Sequence, residues 1–196
     1  MTDVALADFA AQFDTQSTTV LQGPVISVTR DVFDFYGEVV ERQVVRHPGA
    51  VGVVALRGIG AATEILLVRQ YRHPVGQFLW ELPAGLCDVA GESAEQCAHR
   101  ELLEETGHIA SSLEHLVTAA TSPGGSDEQI TLFLAQDPRQ DSQMIGTQEP
   151  EERHMLARWF PLTAALAAVQ AGTVVNAIAQ LGICLAALRV RQSGLE

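Results

Sequence analysis

Between Cys97 and Gly107 the chain reads CAHRELLEETG. Three acids, Glu101, Glu104 and Glu105, stand at i, i+3 and i+4. At roughly 100° per residue a helix gathers all three into one narrow arc. Carboxylates so placed repel one another and weaken an isolated helix. A divalent cation would offset that repulsion. Hard ions such as Mg²⁺ accept a few carboxylates, waters and substrate phosphates as ligands. Arg100, four residues before Glu104, can pair with it and orient it. Ala94, Cys97 and Ala98 share the arc on earlier turns, and their small side chains let a loop or a substrate come close. Leu102 and Leu103 point away and can anchor the helix in a core. The stretch reads as a metal platform facing a phosphate, against the plain alternative of a solvated acidic face.

The platform needs elements to hold it. Ser93-x-x-Gln96 is a capping-box signature for the start of the helix, and Gly107 is a stop signal. Just upstream, FLWELPAGLCDVAGE reads as a strand entering a loop punctuated by glycine and proline. GAVGVVAL and EILLVRQY are short apolar runs typical of buried strands, and RGIGAA between them reads as a hairpin loop. VISVTRDVFDF and EVVERQVVRH alternate as strands about a turn at Tyr36-Gly37. LEHLVTAAT, QITLFLAQD and MLARWFPL complete the strands, and TAALAAVQAG begins a helical C-terminal part. Residues 1–18 are weakly patterned and predict a helix or a loose tail. With two or three helices, no βαβα alternation and no internal repeat, the pattern predicts an α+β domain on a mixed sheet.

Composition narrows the function. The formal net charge is -12, which argues against nonspecific binding to nucleic acid or to an anionic membrane. A small anionic substrate held by local arginines and metal stays compatible. Thr173–Val190 approaches the length of a membrane span, but Asn176, Gln180 and Gly182 interrupt it. A helix buried on both sides, at a dimer interface or as a cap on the core, is the better reading. The three cysteines lack metal-ligand spacing and suit a reducing, cytoplasmic setting. No basic residue precedes Arg30, so no secretory signal is expected. His99 and His154 have no paired ligand spacing and are read as non-metal.

GLCDVAGESAEQCAHRELLEETG resembles the Nudix box, G-x5-E-x7-R-E-U-x-E-E-x-G-U, with U a bulky aliphatic residue. Glu92, Arg100, Glu101, Leu102, Glu104, Glu105 and Gly107 fall in place. Six residues rather than five separate Gly85 from Glu92, and His108 stands where the last aliphatic residue is expected, a packing place that Ile109 can fill. HPGAVGVVAL, VRQYRHPVGQFLWELPAG, SPGGSDE and WFPL extend the resemblance to the ADP-ribose pyrophosphatase subfamily. The LCDVAG loop is similar to that of its mycobacterial and other actinobacterial members. The resemblance implies a Nudix fold, a mixed sheet sandwiched between helices. It divides the chain into an N-terminal tail and β region at 1–47, with possible exchange in a dimer, and a hydrolase domain at 48–196.

The same resemblance implies roles. Glu101 and Glu105 would be the main ligands of Mg²⁺ or Mn²⁺, with Glu104 and the Ala84 carbonyl contributing. Glu92 and Arg100 would position these carboxylates. Arg72 would face the substrate diphosphate, as would Arg42. Ser126, Asp127 and Glu128 would border the distal ribose. Glu152, with Glu151 as the near alternative, would be the general base, on a loop able to close over substrate. Phe33, Phe35, Tyr36 and Trp80 are the candidates for stacking on adenine. The implied reaction is metal-dependent cleavage of ADP-ribose to AMP and ribose 5-phosphate by a homodimer. The alternatives are a Nudix hydrolase for nucleotide sugars, dinucleotide coenzymes or oxidised nucleotides, and a noncatalytic ADP-ribose sensor. The retained acids and the lack of length for a DNA-binding domain disfavour the sensor.

Overall fold

The computed structural model describes residues 6–141 and 155–192. Glu151, Glu152 and His154 lie outside the described residues. The chain forms two compact units. One runs to His47 and includes Ser122–Glu128; the other comprises Pro48–Thr121 and the chain from Gln129 onward.

The first unit is an antiparallel sheet of β1 (Thr15–Gln22), β2 (Ser27–Phe35) and β3 (Glu38–Arg46), in that order. Tyr36 and Gly37 turn the β2–β3 hairpin with φ of 55° and 92°. Two consecutive positive φ values match the twist of the flanking strands, and glycine tolerates the second without strain. β1 corrects the expectation of a helix or tail over residues 1–18. Every residue of this edge strand is exposed, so no alternation marks it, and pairing with β2 alone defines it. Inside the sheet Arg46 pairs with buried Asp31, and its Nε donates to Thr29 Oγ1 at 3.1 Å. Burial raises the Asp31 pKa. Nearby Ser17 and Thr29 hydroxyls and the Arg46 charge outweigh it, so the carboxyl sits below its ordinary value.

The second unit carries β4 (Ala50–Arg57), β5 (Glu64–Arg72), β6 (Gln77–Glu81), β7 (Ala84–Leu86), α1 (Ala94–Thr106) and β8 (His108–Ile109). It continues with β9 (Glu114–Ala120), β10 (Gln129–Gln136), β11 (Arg139–Gln140), β12 (Leu156–Pro161), α2 (Leu162–Gln170) and α3 (Ala177–Gln192). The main sheet runs β12-β5-β4-β10-β9, with β6 added to β5 and β7 to β4. β4 and β10 are parallel and the remaining pairs antiparallel, so the sheet is mixed, as expected.

Strand alternation divides β4 between two cores. Val51, Val53 and Ala55 pack with Cys97, Ala98 and Leu102 of α1. Val54 and Leu56 pack with Leu162 and Ala165 of α2 and with Ala179, Ile183 and Ala186 of α3. Helices therefore cover both faces of the sheet. α3 starts at Ala177 rather than Thr173, and within the single chain one of its faces is buried. Its fully buried stripe, Ala179, Gly182, Ile183 and Ala186, is the one-faced i, i+3, i+4, i+7 pattern, and Leu188 is exposed. Among the described residues no helix is long and apolar enough to cross a membrane.

Gly182 sets how closely α3 approaches the sheet. A Cβ there would lie 2.6 Å from Leu82 Cδ1 and 3.1 Å from Val54 Cγ2. Both neighbours are fully buried and have little room to yield. Gly182→Val should lower stability by roughly 1–3 kcal/mol through overpacking. Urea denaturation checks this; an unchanged midpoint would show that α3 has slack against the sheet.

Candidate active site

The site begins where β6 ends. Leu82 and Pro83 are buried, and Pro83 accepts the Val53 N–H at 2.8 Å. This steers the chain onto β4, where Ala84 pairs with Gly52 and Gly85 with Val51. The loop then climbs to Ser93, which caps α1. Gln96 N–H donates to Ser93 Oγ at 3.2 Å and Ser93 N–H to Gln96 Oε1 at 2.8 Å. Gly107, with φ of 68°, closes the other end. The capping box and terminal glycine stand where the sequence placed them.

The docked face of α1 comprises Cys97, Ala98, Glu101 and Leu102. The acid at its centre is therefore not on a solvated face: Glu101 is only 8% exposed. It sits on the β7 backbone. A Cβ at Gly85 would lie 2.0 Å from Glu101 Cδ, so only glycine leaves space for this carboxylate. One turn on, Glu105 Oε2 accepts the Ala84 N–H at 2.9 Å. Leu86 O receives the Cys97 thiol at 3.3 Å, which explains a small residue at that position.

Arg100 organises the acids. Its Nε and Nη2 form a fork on Glu92, each at 2.9 Å. Its Nη1 reaches Glu101 Oε1 at 2.5 Å and Glu104 Oε2 at 3.0 Å. The Glu92 hydrogen bonds, opposed by burial and helped by Glu101 and Glu104, raise the Arg100 pKa far above its ordinary value. Conversely, hydrogen bonding to Arg100 lowers the Glu92 pKa. Arg100 and Glu92 are therefore charged at neutral pH. Burial pushes the Cys97 thiol up to about 12, so it packs as a neutral thiol and is no nucleophile.

Three carboxylates thus meet one guanidinium, and a fourth, Glu105, is seated beside them on the Ala84 N–H. Among the described residues no three His, Cys, Asp or Glu side chains already converge as a cation cage. The donor set nevertheless fits a hard divalent ion. All its donors are oxygens, charge is in excess, and exposed Glu104 can swing away from Arg100 at little cost. The Gly85 cradle, which a Cβ would fill, keeps the centre open around Glu101.

The other candidates are placed as follows. Arg72, at the end of β5, pairs with Glu81, its Nη2 2.7 Å from Oε2. Trp80 stacks edge-to-face on Phe160, centroids 4.8 Å apart, against the α2–α3 core. The rest belong to the N-terminal unit. Exposed Arg42 bonds the Glu41 carbonyl through Nη1 at 2.8 Å. Phe33, Phe35 and Tyr36 cluster with Phe13. Ser126 Oγ donates to Val45 O at 3.2 Å and accepts the Glu128 N–H at 3.1 Å. Asp127 takes Arg46 Nη1 at 3.1 Å and the His47 N–H at 2.9 Å. Glu128 Oε1 lies 3.7 Å from His47 Nε2. Ser126 and Asp127 thus clip their loop to the end of β3. Ile109 is exposed and does not fill the place expected of it; His108 packs edge-on to Trp159 instead, centroids 5.6 Å apart.

Glu81 is the residue the sequence reading missed. Its signal was a charged residue closing an otherwise apolar strand, FLWE. Arg46 was also passed over; one residue before His47, it had no spacing to distinguish it from a surface charge.

An acidic helix seated by its own arginine on a glycine strand, within a helix-covered mixed sheet, is the architecture of a Nudix hydrolase. The chain belongs to the Nudix family, whose NUDIX domain model matches residues 46–179. It is 42% identical over 175 residues to the ADP-ribose pyrophosphatase of Mycobacterium tuberculosis, covering 87% of this chain and 81% of that protein. It is 40% identical over 119 residues to the ADP-ribose pyrophosphatase of Bacillus subtilis, covering 60% of this chain and 62% of that protein. The crystal structure of an ADP compounds hydrolase matches with a TM-score of 0.77 and 21% identity, over 97% of this chain and 100% of that one. At that identity the match establishes the shared fold.

The cradle yields a direct test. Gly85→Ala should leave the fold intact but displace the Glu101 carboxylate, since the added carbon and Glu101 Cδ cannot stand 2.0 Å apart. Turnover should fall by about 10²-fold, the usual cost of misplacing a reacting group by an ångström. Wild-type activity in a folded Gly85→Ala protein would remove Glu101 from the chemistry.

Proposed function

We propose that the chain hydrolyses the diphosphate bond of ADP-ribose, giving AMP and ribose 5-phosphate. One observation carries the reading: Arg100 holds the α1 acids over Ala84–Gly85, in a chain 42% identical to an ADP-ribose pyrophosphatase along most of its length. On this reading Glu101 and Glu105 hold a divalent metal, Mg²⁺ or Mn²⁺, with Glu104 and the Ala84 carbonyl completing the protein's share. A metal bound there supplies phosphate charge neutralisation and an acidified water. Arg100 and Glu92 fix the carboxylates that bind it. Arg72 meets the diphosphate as a charge-assisted donor, with Arg42 in the same role and Ser126, Asp127 and Glu128 beside the distal ribose. Glu152 accepts the proton of the attacking water.

The protein on this reading is a cytoplasmic homodimer. Three free thiols suit a reducing compartment, and exposed Val20, Leu21, Phe35 and Val39 of the N-terminal sheet suit self-association.

Product identification tests the reaction. With Mg²⁺ the protein should convert ADP-ribose to AMP and ribose 5-phosphate, and EDTA should abolish this. Glu105→Gln should reduce kcat/KM at least about a hundredfold while staying folded. Faster turnover of a nucleotide sugar or dinucleotide in the same panel would reassign the substrate. Undiminished AMP release in EDTA would sink the metal role.

The base assignment has its own test. Glu152→Gln should cut kcat by about 10²–10⁴ with KM barely changed, because a base acts on the water in the transition state. Glu151→Gln should cost far less. A reversed pattern would move the role by one residue, and near-normal kcat in both variants would exclude this loop as its source.

A further inference from the structure

We infer that Glu81 is a positioning residue, which fixes the plane of the Arg72 guanidinium that receives the substrate's diphosphate. The inference rests on the reading of Arg72 as a diphosphate-binding residue, and it deepens that reading.

The β5–β6 hairpin places the pair. Val68 stands opposite Glu81, Gln70 opposite Leu79, and Arg72 opposite Gln77. The two-residue period of a strand puts Gln70, Arg72 and Glu81 on the same face. Glu81 is 4% exposed, whereas the Arg72 side chain is 46% exposed. One end of the ion pair is therefore fixed in the protein and the other is only half covered.

The bond pattern has a direction. Arg72 Nε donates to Glu81 Oε1 at 3.1 Å and Oε2 at 3.2 Å, and Nη2 donates to Oε2 at 2.7 Å. Gln70 Nε2 adds a donor to Oε2 at 3.1 Å. The carboxylate engages the Nε–Nη2 edge of the planar fork, and the Nη1 end is not part of this pair. A guanidinium gripped along one edge has a favoured plane, set before an anion arrives. An arginine without such a grip must lose rotamer freedom on binding, which weakens the contact. The same short run, Glu81 to Gly85, also carries the backbone under Glu101 and Glu105. The segment that orients Arg72 thus also seats the acids.

A merely structural Glu81 would share the burial and the hydrogen bonds, so stability cannot decide between the two roles. Steady-state kinetics on ADP-ribose with saturating Mg²⁺ can. Glu81→Gln removes the charge and keeps the volume. Glu81→Asp keeps the charge but withdraws it by one methylene, and it carries the test should the glutamine variant not fold. Thermal melts establish folding in each case. Arg72→Ala should raise KM by about 10–100-fold. The Glu81 variants should raise KM by about tenfold, as loss of a supporting partner does, with kcat within about threefold of wild type. Placed in the Arg72→Ala background, Glu81→Gln should change KM by less than about twofold, because there is nothing left to position. A folded Glu81 variant with wild-type KM, beside a raised KM in Arg72→Ala, overturns the role of Glu81 and leaves that of Arg72 standing. An equal KM effect of Glu81→Gln with and without Arg72 also overturns it. An unchanged KM in Arg72→Ala overturns the reading of Arg72 itself, and the inference with it.

Discussion

Arg100 is the group on which the rest of the site depends. Glu101, Glu104 and Glu105 share one arc of α1, and Glu92 is brought to the same place by the loop that precedes the helix. Without a cation these charges would repel one another in partly desolvated surroundings. A single guanidinium, forked on Glu92 and reaching Glu101 and Glu104 with its third nitrogen, makes the cluster tolerable. The compensation is incomplete, because one cation meets three acids and a fourth, Glu105, stands on the same arc. That incompleteness suits the chemistry. Full neutralisation would weaken the attraction for a divalent ion, while loss of the arginine would leave the acids to repel one another.

The cluster also needs a floor. β7 adds only three residues to the sheet, yet it carries the Ala84 N–H that Glu105 uses and the glycine that admits Glu101. α1 reaches this floor because Cys97 and Ala98 are small and Leu102 anchors in the core around Val51 and Val53. The opposite face of the sheet is packed by α2 and α3, so β4 is buried on both sides and cannot shift to accommodate a misplaced carboxylate. Catalytic geometry is here a consequence of core packing, transmitted through one strand.

Much of this was legible in the sequence because it is written at short range. The capping box, the i, i+3, i+4 acids, the terminal glycine and the apolar runs of β4, β5 and β10 all have local signatures. What was not legible depends on partners far along the chain. β1 has no buried side chain and is a strand only because β2 pairs with it. The α3 segment has enough apolar residues to suggest burial all round; only the structure reveals which stripe meets the sheet. Glu81 looked like the end of a strand, and its significance lies in an arginine across a hairpin. Nothing local to Ser126 and Asp127 signals that Val45, Arg46 and His47 bind their loop.

The cations themselves suggest why arginine does so much here. All twelve basic residues are arginines and none is lysine. A lysine offers a compact point charge; an arginine offers a planar fork that fixes the direction of its partner. Arg46, Arg57, Arg72, Arg100 and Arg189 each make at least one carboxylate contact. Cations engaged in this way contribute little long-range attraction, and the formal net charge of -12 repels an anionic substrate at a distance. On the proposed reading, binding of a diphosphate then depends on short-range, pre-oriented groups and on a metal that the excess carboxylates would attract. The acidity of the chain and the pairing of its arginines belong to the same arrangement: with bulk charge opposing the ligand, binding rests on the placement of short-range groups.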